Sequence, residues 1–517
     1  MSPHRETSQG IQDPFKSWKI FTTAADRSGE ILSLLMKGAL VIFFLVSISL
    51  VFFSAFSDQN HWFRCPQCDG IIRNFGRKGI IPVATVDLGH EITNISHIQF
   101  GIGGSVKSWK DRRHYSELWW KPNITRGFVW LDERWPENET WPEASPPYRV
   151  SEDSSRFKYT SMYGSRSAVR IARIVLESFR LGLENVRWFV MGDDDTVFFV
   201  ENLVTVLSKY DHRQMYYIGG ISESVEQDVI HSYGMAYGGG GFAISYPLAA
   251  ELVRVLDGCI DRYASFYGSD QKIQACVTEI GVPITNELGF HQVDIRGDPY
   301  GLLAAHPMAP LVTLHHLDYV PPLFPAATEK GRSQIESLRK LREAYEVDPG
   351  RTLQQSICYD LERNWSLSIG WGFTVQLYPS ILTAKQLQTT LQTFQTWRSW
   401  SNEPFTFNTR ALSSDPCERP LFYFFDGVEV EEKGKSVTSY SWFVSEPDKV
   451  CEKPHYAPAL AVQSINISAP RLNPDHWKKA PRRQCCEIVK RRDGKKADSV
   501  IEATIRSCHP GESVTPP

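Results

Sequence analysis

Apolar positions beyond residue 90 repeat with two different periods, and the alternation between them predicts the layout of the chain. Ile98-Gln99-Phe100-Gly101-Ile102 and Gly127-Phe128-Val129-Trp130-Leu131 are short apolar runs of strand type. The polar stretch from Trp109 to Trp120 between them has helical character. From Ser165 to Leu183, Val169, Ile171, Ala172, Ile174, Val175 and Phe179 recur at helical spacing, which predicts an amphipathic helix. It leads into a further strand, Trp188-Phe189-Val190-Met191. Asn202 to Tyr210 predicts another helix, and Met215 to Gly220 a short strand and turn. Strand–helix–strand repetition of this kind builds a mostly parallel sheet with right-handed crossovers, whose ligands bind outside the carboxyl ends of the strands. Past about Ala326 the character changes. A charged helical stretch, Glu329 to Tyr345, is followed by short alternating runs such as Ser366-Leu367-Ser368-Ile369-Gly370-Trp371. These predict a β-rich accessory domain over 327–517, whose aromatics either pack a core or form a sugar-stacking surface.

The N-terminal pattern is of another kind. Gly38 to Phe56 holds no charged residue, and about 20 apolar residues span a bilayer, so 38–56 is expected to be an uncleaved transmembrane signal-anchor. Arg5, Lys16, Lys19, Arg27 and Lys37 precede it, which assigns 1–37 to the cytosol and everything after the span to the lumen. Residues 57–91 read as a stem and 92–326 as the first globular domain. Asn94-Ile-Ser, Asn123-Ile-Thr, Asn138-Glu-Thr, Asn364-Trp-Ser and Asn466-Ile-Ser are glycosylation-type tripeptides, and all lie beyond the span. So do all ten cysteines, as an oxidising lumen permits; disulfides are expected, with pairing not deducible, and Cys65-Pro-Gln-Cys68 lacks a second half to complete a zinc site. The expectation is a type II membrane protein. A formal net charge of −3 and scattered basic residues give no sign of a nucleic-acid partner, and the basic cluster at Arg482–Lys496 reads as solvated surface.

Three consecutive aspartates, Asp193, Asp194 and Asp195, end the strand that begins at Trp188, and Thr196-Val197-Phe198-Phe199 resumes the apolar pattern. Side-by-side carboxylates at the end of a buried strand are costly unless a cation or hydrogen-bond donors neutralise them. Metal binding and a capped, hydrogen-bonded turn are the two readings. The glycine run Gly238 to Gly241 lies between apolar segments and allows an approach of ligand or backbone that a Cβ would block. No Gly-Lys-Ser/Thr follows, so it is not a phosphate loop of the nucleotide-triphosphatase type.

Trp188-Phe189-Val190-Met191-Gly192-Asp193-Asp194-Asp195 resembles the strand and Asp-x-Asp motif of the fringe-like glycosyltransferases of family 31. Gly238–Gly241 with Phe242, Tyr267-Gly268-Ser269-Asp270-Gln271 and Leu314-His315-His316-Leu317-Asp318 resemble that family's later motifs in order, over about Ile98 to Tyr319. The nearest resemblance is to a plant fringe-related branch with a C-terminal extension of unassigned function. It implies a GT-A-type (Rossmann-like) mixed α/β sheet flanked by helices, a UDP-sugar donor, inversion at the anomeric carbon and Mn2+ or Mg2+ as cofactor. The acceptor would be a glycan or glycoprotein, and the location the Golgi membrane. The same resemblance implies Asp195 as direct metal ligand, Asp193 assisting through water or ribose, and Asp194 hydrogen-bonded within the turn. His316 would be a further metal ligand, with His315 as the alternative, and Asp193, Asp194, Gly239, Gly240 and Gly241 would contact the donor. Asp270 would be the general base. The bland readings are a helix N-cap for Asp270 and ordinary loop or core histidines for His315 and His316. Ser269 stands where the family has an acidic residue, which leaves room for a catalytically weak or inactive binding module. A minor alternative is a haloacid-dehalogenase-like phosphatase with Asp193 as nucleophile.

Overall fold

The computed structural model describes residues 36–48, 92–325, 332–397, 408–431, 434–444, 451–454, 456–489 and 499–516. Residues 36–48 are helical, and no helix among the described residues is long and apolar enough to cross a membrane. The remainder of the expected span, residues 1–35 of the expected cytosolic tail, the expected stem and Cys65–Cys68 lie outside the described residues.

Residues 91–517 form one compact unit. Its first part is a seven-stranded mixed sheet built from β1 (Ile98–Gly103), β2 (Gly127–Leu131), β3 (Tyr148–Val150), β4 (Trp188–Asp193), β6 (Tyr217–Gly219), β7 (Phe242–Ser245) and β8 (Ile284–Asn286). The order across the sheet is β3-β2-β1-β4-β7-β6-β8. Strands β1 to β4 run parallel, whereas β7 is antiparallel to both β4 and β6. This mixed α/β arrangement fits the expected GT-A fold. β3 lies in the Pro- and Glu-rich segment between Asp132 and Asp153 and has no periodic signal because it is a three-residue edge strand.

Helices α1 (Val106–Glu117), α2 (Ser167–Arg180), α3 (Val200–Leu207), α4 (Val225–Ile230), α5 (Tyr246–Arg262) and α6 (Ser269–Ile280) connect these strands. The apolar stripe of α2, Val169, Ala172, Val175 and Leu176, is buried against the sheet, as its spacing requires. A disulfide, Cys259–Cys276, fastens α5 to α6.

Burial on α2 also brings in a carboxylate. Glu177 Oε2 accepts the backbone N–H of Glu152 at 3.1 Å, while Oε1 has no hydrogen-bond partner and stands 3.6 Å from Arg173. Burial, only partly offset by that N–H and by Arg173, pushes its pKa from 4.5 up to about 7. A folded-state pKa above the unfolded one means stability that is full below about pH 4.5 and is lost as pH rises through 7. Glu177→Gln removes the penalty, so it is expected to stabilise the fold at pH 8 by up to roughly 3 kcal/mol and to be neutral near pH 4. Urea unfolding at the two pH values checks this, and a variant less stable at pH 8 would refute it.

The second part is a closed eight-stranded barrel. Its strands are β11 (Gln355–Asp360), β12 (Trp365–Gly370), β13 (Thr374–Tyr378), β17 (Leu421–Glu431), β18 (Lys435–Phe443), β19 (Ser464–Pro470), β20 (Cys485–Ile488) and β21 (Val500–Arg506). They close in the order β11-β12-β13-β17-β18-β19-β21-β20. Strict alternation in β19 and β21 puts Ile465, Ile467, Ala469, Ile501, Ala503 and Ile505 inside. The neighbouring Cys485 and Cys486 point to opposite partners, Cys508 and Cys358, and Cys417–Cys451 is a further bridge. The grouping of Cys485, Cys508 and Glu512, close enough to suggest a metal site, is therefore a disulfide with a carboxylate beside it.

The change of character expected near residue 326 marks the passage from sheet to barrel but not a break in the core. Tyr300, in the short helix α7 (Tyr300–Ala304), packs on Phe373, Phe422 and Phe424 of the barrel. Helix α8 (Gln334–Val347) buries Leu338, Leu341 and Ala344 in the same hydrophobic cluster as β1 and β4. Of the glycosylation-type asparagines, Asn94, Asn123, Asn138 and Asn364 are exposed, whereas Asn466 is half-buried within β19.

Candidate active site

β4 is apolar and buried up to its last residue, Asp193, because sheet neighbours cover it on both edges. The turn that follows is fixed by Thr196. Its N–H donates to the Asp193 carbonyl at 3.0 Å, and its hydroxyl accepts the Asp193 N–H at 2.8 Å. The same hydroxyl donates to the Gly239 carbonyl at 2.7 Å, stapling the acidic turn to the glycine run.

The three carboxylates then diverge. Asp194 accepts from Ser108 Oγ and from Arg112 Nη1 at 3.2 Å, so its partners come from α1 and not from its own turn, as had been expected. Asp195 is almost wholly buried. Its Oδ2 lies 3.1 Å from Arg112 Nη1 and its Oδ1 lies 3.1 Å from His315 Nε2, yet neither oxygen has a well-aligned hydrogen-bond partner. Burial alone would raise the Asp195 carboxyl; the facing His315 and Arg112 outweigh it and hold the group well below the ordinary carboxylate range. Asp193, with no cation so close, goes the other way. Burial, reinforced by the two neighbouring aspartates and opposed by His315, pushes it up to about 7. His315 is pulled down by burial and up by Asp195 more strongly, reaching about 9.

The glycine run lies against this cluster for a steric reason. A Cβ at Gly239 would sit 2.0 Å from His315 Cε1, so only glycine lets the imidazole reach Asp195. Gly240 N–H donates to Gln292 Oε1 at 2.5 Å and its carbonyl accepts from Thr313 Oγ1 at 2.5 Å. Gly241 takes the left-handed conformation, φ 78°. Gly239, Gly240 and Gly241 are thus buried and packed by protein, and Gly238 is the member that reaches the surface. Its N–H donates to Asp270 Oδ2 at 3.1 Å. Asp193, Gly238, Ser269 and Asp270 line one narrow cleft.

Asp270 is not the helix cap. Gly268 holds the N-cap of α6, and Asp270 lies in the first turn with Oδ1 accepting the Gln271 N–H at 2.8 Å. Burial raises its pKa, against the opposing pull of the Gly238 and Gln271 N–H groups.

His315 and His316 follow β10 (Thr313–Leu314), which pairs with β5 (Val197–Phe198) just beyond the acidic turn. The pairing carries His315 to Asp195. His316 takes a left-handed conformation, φ 54°, and turns to Asp294, its Nδ1 3.0 Å from Oδ1. Arg112 and Asp294 had not been singled out in the sequence. Arg112 also reaches Asp318 at 3.1 Å, so one guanidinium ties Asp194, Asp195 and Asp318 together. The only signal available for it was a stretch rich in Lys and Arg, Lys107 to Arg113, directly after a strand-type run.

Among the described residues, the only three acid, histidine or cysteine ligand atoms within 4.8 Å of one another are those at Cys485, Cys508 and Glu512. The acidic turn therefore offers pairs of donors and not a closed protein cage.

Residues 227–486 match the family described as "Protein of unknown function, DUF604", and residues 155–295 match "Fringe-like". The first match covers half the chain. The chain is a fringe-like member of glycosyltransferase family 31, of the DUF604 family. No curated protein matches it. The fringe-like region holds α2, the acidic turn, the glycine run and Asp270, and it supports a glycosyltransferase-type function. The DUF604 region begins in α4 and runs through the glycine run and the histidines into the barrel, crossing residue 326 without interruption.

Proposed function

We propose that this fringe-like protein is an inverting glycosyltransferase. It would move a hexose or N-acetylhexosamine from a UDP-sugar to a hydroxyl of a glycan or glycoprotein, in β-1,3 linkage. The observation that carries the reading is Asp195: a buried carboxylate held ionised by His315 and Arg112 at 3.1 Å, against a glycine run whose Gly238 N–H donates to Asp270.

Asp195 and Asp193 would hold Mn2+ or Mg2+. Of the two histidines that the family resemblance offered, His316 and its alternative His315, it is His315 that stands against Asp195 and would serve as a second donor beside it. When bound, the cation neutralises charge that develops on the diphosphate. The remaining work belongs to the chain. Arg112 holds Asp194 and Asp195 in register and adds positive charge beside them. Asp270, its pKa raised by burial, accepts the proton of the acceptor hydroxyl as that oxygen attacks the anomeric carbon. The bond from that carbon to the diphosphate oxygen breaks on the opposite face, which inverts the configuration. A Golgi-lumenal location, with the segment 38–56 as membrane anchor, accompanies this reading.

The binding-module reading keeps one observation in its favour. Both Asp270 oxygens already accept backbone N–H groups, and Ser269 supplies no second carboxylate. The phosphatase reading has none, since three strands precede Asp193 in the sheet and the match is fringe-like.

The test is hydrolysis and transfer by the full chain with UDP-glucose, UDP-galactose and UDP-N-acetylglucosamine, with and without Mn2+. Metal-dependent turnover of one donor is expected. Metal-dependent UDP binding with no turnover of any donor would favour the binding module, and the absence of both would defeat the donor-site reading.

A further inference from the structure

Between β13 and β17 the chain leaves the barrel and crosses to the segment that follows β8, where it forms a separate two-stranded ladder. β14 (Thr390–Gln392) and β15 (Phe394–Thr396) form this strap. β15 pairs antiparallel with β9 (Ile295–Gly297), placing Thr396 opposite Ile295 and Phe394 opposite Gly297. The strap is firmly seated. Thr393 Oγ1 accepts the Gly301 N–H at 2.9 Å, the Thr393 carbonyl accepts the Asp298 N–H at 3.2 Å, and the side chains of Phe394 and Thr396 are buried. A Cβ at Gly301 would lie 1.7 Å from the Leu391 carbonyl, so the crossing requires glycine there.

β9 begins one residue after Asp294, the partner of His316. The pairing therefore delivers the next residue of the strap, Trp397, to the histidines. Its indole stacks on the His316 ring with centroids 4.8 Å apart and planes at 12°. Tyr319 stands edge-on to both, 4.9 Å from Trp397 and 5.3 Å from His316. These rings are unlike the aromatics of the barrel core. Tyr300 and Phe373 are buried, whereas Tyr319 is 53% exposed and Trp397 only partly covered.

Taking the acidic turn as a sugar-nucleotide site, we propose that Trp397 and Tyr319 form a stacking platform for a hexopyranose ring. The barrel half would thereby contribute directly to substrate recognition. The C–H face of a pyranose is apolar and its edge is hydroxylated, which suits a ring wall that is half in water. The stack on His316 ties the platform to the ring next to His315, the neighbour of Asp195. One class of ligand, a hexopyranose, can come from two sources: the sugar of the donor or the terminal sugar of the acceptor.

The experiment uses the full chain with Trp397→Ala, Trp397→Phe and Tyr319→Ala. UDP affinity is measured with Mn2+ by calorimetry, as are the affinities of the three UDP-sugars. Transfer onto a panel of p-nitrophenyl β-hexosides gives KM and kcat. Trp397→Ala is expected to leave the UDP affinity within two-fold and to weaken one sugar-dependent term on the order of ten-fold. Trp397→Phe should recover most of the loss. Weaker UDP-sugar binding at constant UDP affinity identifies a donor-sugar wall, and a raised acceptor KM at constant donor affinity identifies an acceptor wall. Two results overturn the platform: no change in any sugar term, or a parallel fall in UDP affinity, which would make Trp397 a prop for His316. A wild-type chain that binds no UDP with Mn2+ would instead defeat the donor-site reading and the platform with it.

Discussion

Asp195→Asn is expected to lower donor turnover by about a thousand-fold or more while the protein stays folded. Asp195 is the carboxylate that the fold keeps ionised: His315 and Arg112 face it from two sides, and together they outweigh its burial. An amide of the same shape keeps the volume but removes the charge that would hold a cation. It also leaves Arg112 with Asp194 and Asp318 as its anions, so local structure should survive. Thermal unfolding and UDP-sugar hydrolysis on one preparation check both halves. A folded variant that retains metal-dependent turnover would remove Asp195 from the mechanism.

Asp270→Asn separates chemistry from binding. General-base catalysis is worth about a hundred- to ten-thousand-fold, so kcat for transfer should fall within that range. Metal-dependent UDP affinity should change far less than kcat, because the hydrogen bonds of Asp270 go to Gly238 and Gln271 and not to the acidic turn. Transfer kinetics beside UDP calorimetry give the split. Equal losses in kcat and UDP affinity would mean that Asp270 only braces the glycine run, and an unaffected kcat would place the base elsewhere.

The strand ending in Asp193 was legible because a buried strand is a continuous apolar run, and charge at its end has few explanations. The glycine run was legible for a similar reason, since four glycines between apolar segments mark a close approach. What it approaches was not: Gly239 clears space for His315, a residue far along the chain. The choice between His315 and His316 was hidden as well. Adjacent side chains diverge according to local φ, and the left-handed turn at His316 has no marker in the sequence. Arg112 and Trp397 reach the site through strand pairings, β1 with β4 and β15 with β9, that no local pattern encodes. The barrel shows the same division. Alternation over Ser366–Trp371 announced β12, but closure depends on the parallel pairing of β19 with β21 and of β11 with β20, across long sequence separations.

The most direct measurement is calorimetric titration of UDP into the full wild-type chain with and without Mn2+, beside Asp195→Asn. The account predicts UDP affinity that rises at least about ten-fold with Mn2+ in the wild type and does not respond to Mn2+ in the variant. Equal affinities with and without metal in both proteins would contradict a metal-assisted donor site at Asp193–Asp195.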